Sequence, residues 1–492
     1  MIESGTLLNF INGRWDVAAV SDTLTIHNPA TGDVLAAAPL SSTVEVEKAV
    51  QAAGAALPAW RRTPPGDRIQ PLFKLKALLD AQFSDIARVI TQECGKTLSE
   101  AEGELKRGLE NVEVATGIPS LMMGSNLEDI ASGIDELMIR QPVGIVAAIT
   151  PFNFPGMIPL WFLPYAVACG NTLVLKPSEK TPMTMGRIFE LIETCGFPPG
   201  VVNLVHGGKA VVDALIDHPE VRAISFVGST PVARYVYARA AANGKRAQCQ
   251  GGAKNPIVVL PDADMEMTTK IAADSAFGCA GQRCLASSVA ITVGEAGDVF
   301  ARQISESATH RKVGYGLDVG VEMGPVISPA SRQRIEGLIE GGVAAGAKPL
   351  VDGRSARVAG YEHGNFIRPT VLDNVDPMSE LAQTEVFGPV LSVMRAKTIG
   401  DAIEMVNRSA FGNMACLFTS SGAAARRFRY ETRVGNVGIN VGVAAPMAYF
   451  PFSGWKESFF GDLHAQGRDA IDFYTEKKIV VERWPANWSR KF

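Results

Sequence analysis

From residue 143 onward, short apolar runs alternate with amphipathic segments. The runs 143–150, 171–176, 201–208 and 221–229 are rich in Val, Ile and Leu, which predicts buried strands. The segments between them repeat apolar residues at helical spacing and predict helices. Consecutive strand–helix units of this kind indicate an α/β fold with a parallel, doubly wound sheet. Such a sheet binds its ligands at the carboxyl ends of its strands.

A second α/β series begins near Lys254. It predicts a helix over 265–279 and, further along, a strand within 388–397. The segment 127–140 interrupts the first series and predicts a β-hairpin, and residues 472–484 resemble an edge strand. Both segments could form a subunit interface, and the alternative is a solvated hairpin.

Composition and charge narrow the function classes. Charged residues make up 20% of the 492 residues and the formal net charge is −4, so no basic surface for nucleic acid or an anionic membrane is indicated. The N-terminus lacks a basic start followed by an apolar run, and the most apolar stretch, 157–170, is too short to span a bilayer. We therefore expect a soluble cytoplasmic protein without nucleic-acid or membrane partners.

The segment FGCAGQRCLA, residues 277–286, holds two of the seven cysteines. An odd number of scattered cysteines does not form a disulfide framework and favours a reducing compartment. Cys279 and Cys284 have no CxxC partner and no histidine cluster nearby, so we expect no metal site. Arg283 stands beside Cys284. A positive charge next to a thiol lowers the pKa of that thiol, which makes Cys284 a candidate nucleophile.

Two turns at predicted strand ends are candidate nucleotide contacts. FVGSTPVA, residues 226–233, has a strand, a glycine turn and a helix start, which can present backbone N–H groups to a phosphate. It lacks the full GxGxxG pattern, so an ordinary strand–helix turn is the alternative. In LKPSEKTP, residues 175–182, Lys176 and Glu179 could contact a ribose, or they could form a solvent salt bridge.

Two further polar residues each have a structural and a chemical interpretation. Asn153 directly follows a predicted strand, where asparagine usually forms a turn, but its amide could also donate to a developing oxyanion. Glu385, in QTEVFGPV, is either a helix-end cap or another ribose contact.

Two arginines differ in how well a solvated surface position explains them. Residues 96–117 predict a helix, and Arg107 lies nearly opposite its apolar stripe. An exposed arginine flanked by Glu104 and Glu110 is the common structural interpretation of such a position. Arg283, beside a possible nucleophile, is harder to explain as a solvated surface residue.

Taken in order, the motifs PFNFP, LKPSEKTP, FVGST, GQRC and EVFGPV resemble the aldehyde dehydrogenase superfamily over nearly the whole chain. The resemblance implies a Rossmann-like NAD domain (1–124 and 143–252), an α/β catalytic domain (253–455) and β-hairpin oligomerisation segments (125–142 and 470–488). It also implies a likeness to homotetrameric enzymes.

Residue by residue, the resemblance assigns the nucleophile to Cys284 and the oxyanion contact to Asn153. The resemblance assigns cofactor binding to residues of the first strand–helix series and of the Glu385 segment: Thr150, Phe152, Lys176, Glu179, Ser229, Glu385 and Phe387. A carboxylate at 179 would repel a 2′-phosphate, which favours NAD over NADP.

One departure from the superfamily pattern concerns the last half of the reaction. The glutamate that activates water in hydrolytic members is matched by Gln250, which cannot take a proton at neutral pH. This loss, with GQRC and residues 107–124, resembles the CoA-acylating methylmalonate-semialdehyde dehydrogenases. That resemblance implies NAD and CoA as co-substrates, an acidic semialdehyde as substrate, and Arg107 and Arg283 as its carboxylate contacts. A hydrolytic enzyme for another acidic semialdehyde, such as succinate semialdehyde, and an inactive relative are the alternatives.

Overall fold

The computed structural model describes residues 2–3, 5–20 and 22–485. Residues 486–488 of the predicted oligomerisation segment, and residues 1, 4 and 21 of the predicted NAD domain, lie outside the described residues. Within the described ranges, no helix combines the length and apolar character needed to cross a membrane.

In the described part of the chain, the first sheet has eight strands with five parallel strands at its centre. Their apolar runs are almost wholly buried because helices cover both faces. The strands, in spatial order, are Phe459–Phe460, Arg246–Gln250, Val221–Val227, Ile145–Ile149, Thr172–Lys176, Val202–Leu204, Asn9–Ile11 and Arg14–Asp16. The helices around this sheet are Thr43–Trp60, Pro65–Arg68, Gln70–Ala81, Phe83–Cys94, Leu98–Thr116, Ile118–Leu121, Pro159–Ala168, Met183–Cys195, Lys209–Asp217 and Thr230–Ala242.

The second sheet is parallel except for one edge strand. Its strands, in spatial order, are Lys348–Val351, Thr370–Asp373, Val390–Ala396, Ser287–Val293, Asn255–Val259, Met414–Phe418 and Asn436–Ile439. The helices of this half are Met265–Phe277, Ala296–His310, Pro329–Ala344, Glu380–Gln383, Ile399–Arg408 and Gly422–Glu431, and a 3-10 turn spans Gly278–Gly281. The α/β architecture predicted from the alternating pattern is confirmed.

Three smaller sheets complete the described chain. One is antiparallel and is built from Ser125–Ala131, Ile134–Pro142 and Thr475–Glu482. The second has four strands, in spatial order Ile2–Glu3, Thr6–Leu7, Val34–Pro39 and Thr23–His27. The third has two strands, Phe411–Gly412 and Trp455–Lys456. The hairpin predicted over 127–140 is therefore present.

The predicted edge strand over 472–484 is correct only from Thr475 onward. Its first residues end the helix Gly467–Tyr474, whose Tyr474 side chain is buried and hydrogen-bonded to Ser225 at 2.8 Å. Tyr474, which falls within the predicted strand, therefore anchors the end of a helix against the first sheet.

Candidate active site

The candidate site lies where a loop of the first large sheet meets a loop of the second. The asparagine loop, residues 150–157, leaves the carboxyl end of Ile145–Ile149, and the nucleophile loop, residues 278–286, enters the amino end of Ser287–Val293. Asn153 Nδ2 donates to the backbone oxygen of Gln282 at 2.9 Å. This bond joins the two loops, and with them the predicted oxyanion residue and the predicted nucleophile.

The nucleophile loop begins with a left-handed turn. The helix predicted over 265–279 ends at Phe277, and Cys279 and Ala280 both have φ 51°. Such backbone is strained for residues with a side chain and needs support from its surroundings. The Glu100 carboxylate accepts a hydrogen bond from Cys279 N at 2.6 Å and supplies part of that support. Cys279 is therefore buried in a turn beyond the helix that was predicted to include it.

Two buried asparagines hold the backbone of Cys284, the predicted nucleophile. Asn255 Nδ2 and Asn413 Nδ2 both donate to the Cys284 carbonyl oxygen at 2.8 Å. Each asparagine stands at or just before the start of a buried strand of the second sheet. Sequence reasoning missed both residues. Their signal was weak, since a polar residue before an apolar run usually only ends a loop.

The thiol of Cys284 is not activated by its neighbours in this arrangement. Burial raises the pKa of Cys284 to about 12 and the Glu385 carboxylate adds to the rise, while its own N–H, Arg283 and the Leu285 N–H oppose it less strongly. Arg283 acts to lower the pKa as predicted, but its effect is too small to offset burial.

The orientation of Arg283 explains this weak effect. Its Nη2 donates to the backbone oxygens of Asp274 and Ser275, the latter at 3.0 Å, at the carboxyl end of the helix Met265–Phe277. A cation there complements the partial negative charge of the helix end. Arg283 thus stabilises the end of this helix and also lines the cavity described next.

A cavity of about 340 Å³, here called the thiol cavity, opens beside Cys284. Arg107 and Arg283 both line it. Arg107 donates to Glu110 Oε2 at 2.9 Å and also contacts the Met447 sulphur. The pairing with Glu110 expected for a surface arginine is present, yet the same side chain reaches the cavity. Further lining residues are Glu100, Gly103, Glu104, Asn111, Phe154, Met157, Trp161, Cys279, Leu285, Val443, Ala445, Pro446, Ala448, Phe452 and Gln466.

Lys176 and Glu179 form an ion pair at the end of Thr172–Lys176. Lys176 Nζ lies 2.7 Å from Glu179 Oε2, with the lysine side chain 5% exposed and the glutamate 36%. Burial acts to raise the pKa of Glu179, but Lys176 more than offsets it, so the pKa lies below its ordinary value. A pair with one buried partner differs from the wholly solvated salt bridge that was the alternative.

Two polar groups at neighbouring strand ends have unused hydrogen-bonding capacity among the described residues. Ser229 caps the helix Thr230–Ala242 without a side-chain bond to its first N–H groups. Thr150 Oγ1 is buried without a protein partner. Both follow strands of the first sheet that are direct neighbours. A ligand with acceptor oxygens, such as a phosphate or ribose, would satisfy such groups.

The Glu385 carboxylate packs against the backbone at Gly252 and Ala253, so closely that a side chain on residue 252 would overlap it. Its Oε1 accepts from Ala253 N at 2.8 Å, and a Cβ on Gly252 would lie 2.3 Å from its Oε2. Burial raises the pKa of Glu385 to about 7. The short helix before it ends at Gln383, so the alternative of a helix-end cap is not observed.

Phe152 and Phe387 bring the asparagine loop and the Glu385 segment together. Their ring centroids lie 5.9 Å apart in an edge-to-face arrangement, which aromatic pairs favour. Phe387 has φ 54°, so its backbone is held in the left-handed region.

Gln250 is connected to Cys284 through the side chain of Asn413. Its side chain is buried, and its Nε2 donates to Asn413 Oδ1 at 3.0 Å. Asn413 in turn holds the Cys284 carbonyl oxygen. An amide has no basic group at neutral pH, so this position can orient the nucleophile's backbone but cannot accept a proton from water.

The sequence profile of the aldehyde dehydrogenase family matches residues 16–480 of this chain. The chain belongs to the aldehyde dehydrogenase family. The resemblance inferred from the five ordered motifs is thereby confirmed.

Relatives within this family are similar over almost their full length. The chain is 49% identical over 479 residues to malonate-semialdehyde dehydrogenase 2 of Geobacillus kaustophilus, covering 97% of this chain and 99% of that protein. It is 47% identical to malonate-semialdehyde dehydrogenase of Halalkalibacterium halodurans, covering 97% and 98%.

Solved structures of aldehyde dehydrogenases superpose closely on this fold. A putative methylmalonate-semialdehyde dehydrogenase from Sinorhizobium meliloti 1021, complexed with NAD, has a TM-score of 0.96 at 43% identity, covering 98% of both chains. Methylmalonate-semialdehyde dehydrogenase from Oceanimonas doudoroffii has a TM-score of 0.96 at 45% identity, covering 98% of this chain and 99% of that one.

Proposed function

We propose that this aldehyde dehydrogenase oxidises malonate or methylmalonate semialdehyde with NAD and CoA, giving acetyl-CoA or propionyl-CoA, NADH and carbon dioxide. The observation that carries the proposal is that Arg107 and Arg283 line the same cavity as Cys284. Two guanidinium groups beside a thiol suit an aldehyde that carries a carboxylate. The names of the relatives, which are malonate- and methylmalonate-semialdehyde dehydrogenases, support the same substrate class.

The residues at the strand ends fit NAD. Lys176 and Glu179 would hold the adenosine ribose, Ser229 and the open helix start behind it would meet the pyrophosphate, and Glu385 would accept from the nicotinamide ribose. Thr150, Phe152 and Phe387 complete this site, the first through its unpartnered hydroxyl. NAD, when bound, supplies the acceptor for the hydride that leaves the substrate.

Cys284 is the nucleophile of the proposed reaction and Asn153 its oxyanion contact. Loss of the thiol proton and attack on the aldehyde carbon form a C–S bond and leave a negative charge on the substrate oxygen. The Asn153 amide has two N–H donors, and one is used by Gln282 O. The second N–H, with the backbone N–H of Cys284, would stabilise that oxygen. Loss of hydride then leaves a thioester on Cys284.

Discharge of the thioester falls to a thiol rather than to water. Gln250 cannot act as a base, and its amide is bonded to Asn413. The CoA thiolate would attack the thioester carbon, form a new C–S bond and release the Cys284 thiolate. This exchange does not require a residue that deprotonates water.

The carboxylate β to the thioester carbonyl is lost as carbon dioxide. The electron pair of the broken C–C bond moves into an enolate, whose oxygen the same Asn153 amide would hold until the carbon is protonated. This step needs no further cofactor.

Product analysis tests this function. Malonate and methylmalonate semialdehydes are incubated with NAD, with and without CoA, and the acyl products and NADH are quantified. We expect sustained turnover only with CoA, with acetyl-CoA and propionyl-CoA as products, and a single turnover without it. Full acid-forming turnover without CoA would instead identify a hydrolytic dehydrogenase, the alternative that Gln250 disfavours. Cys284→Ala is the control and should form no NADH under either condition.

The assembly and location of the protein are also proposed. We assign residues 1–124 and 143–252 to the NAD-binding domain, 253–455 to the catalytic domain, and 125–142 and 470–488 to oligomerisation. The exposed apolar side chains on the three-stranded sheet support a subunit contact. By likeness to the family we propose a homotetramer, located in the cytoplasm.

A further inference from the structure

A buried ion pair beside the asparagine loop has no part in the steps above. Lys96 Nζ lies 2.6 Å from Glu104 Oε2, and the two side chains are 2% and 0% exposed. Glu104 belongs to the helix Leu98–Thr116, here called the cavity helix, and Lys96 precedes it. Burying two charges costs solvation free energy, and apolar residues of similar volume often serve stability equally well. Stability alone is therefore a weak explanation for this pair.

Lys96 holds the backbone of the predicted oxyanion residue. Its Nζ donates to Asn153 O at 2.6 Å and faces the Phe154 ring, 4.0 Å from the ring centroid. Burial acts to lower the pKa of Lys96, but the Glu104 carboxylate more than offsets it, so the pKa lies above its ordinary value. The ammonium stays charged, and its bond to Asn153 O is therefore one of the stronger kind.

Glu104 holds the same loop a few residues further on. Its Oε1 accepts from Gly156 N at 2.8 Å and from Met157 N at 3.1 Å, while its Oε2 pairs with Lys96. The pair thus contacts the asparagine loop at three backbone groups that follow or belong to Asn153. A displacement of this loop would break charge-assisted bonds in the protein interior.

One face of the cavity helix connects this loop with the rest of the site. Glu100, Glu104 and Arg107 follow one another at spacings of four and three, so they share a face. Glu100 accepts from Cys279 N in the nucleophile loop, and Arg107 lines the thiol cavity. The two loops and one substrate arginine are therefore positioned by the same rigid element.

We propose that Lys96 and Glu104 are positioning residues that fix the Asn153 amide where the substrate oxygen develops its charge. Asn153 is held at both ends, its backbone oxygen by Lys96 and its side chain by Gln282 O. A donor that is already in place needs no reorganisation as the charge forms. This inference rests on the proposed oxyanion role of Asn153 and adds the groups through which that role is maintained.

The test uses the double variant Lys96→Met/Glu104→Gln in the full-length enzyme. The pair becomes neutral, so no buried charge loses its partner, and the glutamine oxygen can still accept from Gly156 N. The readout is the rate of the first turnover, measured as the burst of NADH. We expect this rate to fall at least about tenfold, by the same factor for malonate semialdehyde and propanal, because both aldehydes place an oxygen at Asn153. The KM for NAD should stay unchanged.

A double-mutant cycle with Asn153→Ala separates positioning from general damage. If the pair acts through Asn153, its neutralisation should slow the burst little further in the Asn153→Ala background. An equal loss in both backgrounds, or a normal burst in the double variant, would overturn the proposal. If the double variant does not fold, as judged by its circular dichroism, the cycle is run with Glu104→Gln alone and read by the same criteria.

A matched control lies on the same helix. Glu113 pairs with Lys76 at 3.2 Å, but at the surface, where its side chain is 53% exposed. Glu113→Gln should leave the burst unchanged. Failure of the proposed CoA or malonate chemistry would appear in product analysis, whereas the propanal burst would still report on Asn153, so the two failures are distinguishable.

Discussion

Arg107 and Arg283 line one cavity but are held in different ways. Arg107 pairs with Glu110 at the cavity mouth, and its side chain is 39% exposed. Arg283 is bonded to backbone oxygens at the end of the helix Met265–Phe277. Loss of Arg107 should therefore remove a proposed substrate contact, and loss of Arg283 should also remove a helix-end contact.

We predict that Arg107→Leu and Arg283→Leu both raise the KM for malonate semialdehyde by about 10- to 100-fold, since a charge-assisted hydrogen bond contributes about 1.5–3 kcal/mol. The KM for uncharged propanal should change far less. Arg283→Leu alone should also lower the free energy of unfolding, by about 1 kcal/mol. Steady-state kinetics and denaturant unfolding measure the two effects. Equal losses on both aldehydes would show that the arginines are structural.

The ionisation of Glu385 should affect how the reactivity of the Cys284 thiol depends on pH. The Cys284 pKa is raised to about 12, so the reactive thiolate is scarce at neutral pH and grows with pH. Alkylation of Cys284 by iodoacetamide should therefore accelerate by about tenfold per pH unit between pH 7 and 9. Glu385→Gln removes a negative charge that raises this pKa, so alkylation at pH 8 should be faster.

This acceleration should disappear in acid. Glu385 has its pKa at about 7, so below that pH the native carboxyl is itself neutral and the glutamine variant should match it. Mass spectrometry of the alkylated peptide, with Cys284→Ser as control, gives the rates. A pH-independent difference between the two proteins would contradict the assigned charge interaction.

At the scale of elements, the nucleophile loop depends on a turn that only a small residue can make. Gly281 has φ 69°, and a Cβ there would lie 2.0 Å from the backbone oxygen of Gly388. Backbone cannot move aside as a flexible side chain can, so the loop would have to shift away from Gly388.

Gly281→Ala should therefore lower the free energy of unfolding by at least about 2 kcal/mol and abolish the NADH burst, because strain and overlap add. Gly337, inside the helix Pro329–Ala344, has open space around it. Gly337→Ala should raise the free energy of unfolding by about 0.5–1 kcal/mol and keep full activity. An active, stable Gly281→Ala variant would show that the loop has another accessible path.

The sequence predicted these elements better than their contacts. Apolar runs and glycine stops gave the strands and helices of the first sheet because they depend on local pattern. The left-handed turn at Cys279 was missed, since it is supported by Glu100, 179 residues away in the chain. Glu104 looked like a surface neighbour of Arg107, and only the packing of the cavity helix shows that it is buried.

Motifs supplied the candidate nucleophile and the candidate cofactor residues, but not the contacts that orient them. Asn255 and Asn413 each reach the Cys284 carbonyl through tertiary packing that no spacing rule encodes. The direction of Arg283 was equally invisible, because adjacency in sequence to a thiol says nothing about where a long side chain ends.

At the scale of the whole molecule, one face of the three-stranded sheet presents exposed apolar side chains to its surroundings. Its register places Leu127, Glu136 and Val481 in one row and Ser125, Met138 and Ile479 in the next row of the same face. Leu127, Ile479 and Val481 are 57%, 60% and 61% exposed. Apolar side chains grouped in this way are typical of a subunit contact.

We predict that Ile479→Lys/Val481→Lys converts the proposed tetramer to smaller species, because two buried charges would face the partner. Sedimentation velocity gives the distribution of masses. The fold of each subunit should survive, since the helix before the strand is anchored by Tyr474. Lys478→Glu, on the other face of the strand, is the matched control. An unchanged tetramer in the double variant would place the interface elsewhere.

The amide of Gln250 has an energetic consequence beyond the choice of acyl acceptor. Oxidation of an aldehyde to a free acid dissipates its free energy once water cleaves the acyl–sulphur bond. Gln250 is bonded to Asn413 and cannot act as a base, so in the proposed reaction the acyl–sulphur bond is exchanged rather than hydrolysed. One buried amide in place of a carboxylate would thus preserve the free energy of oxidation in an activated acyl group, ready for synthesis or further breakdown.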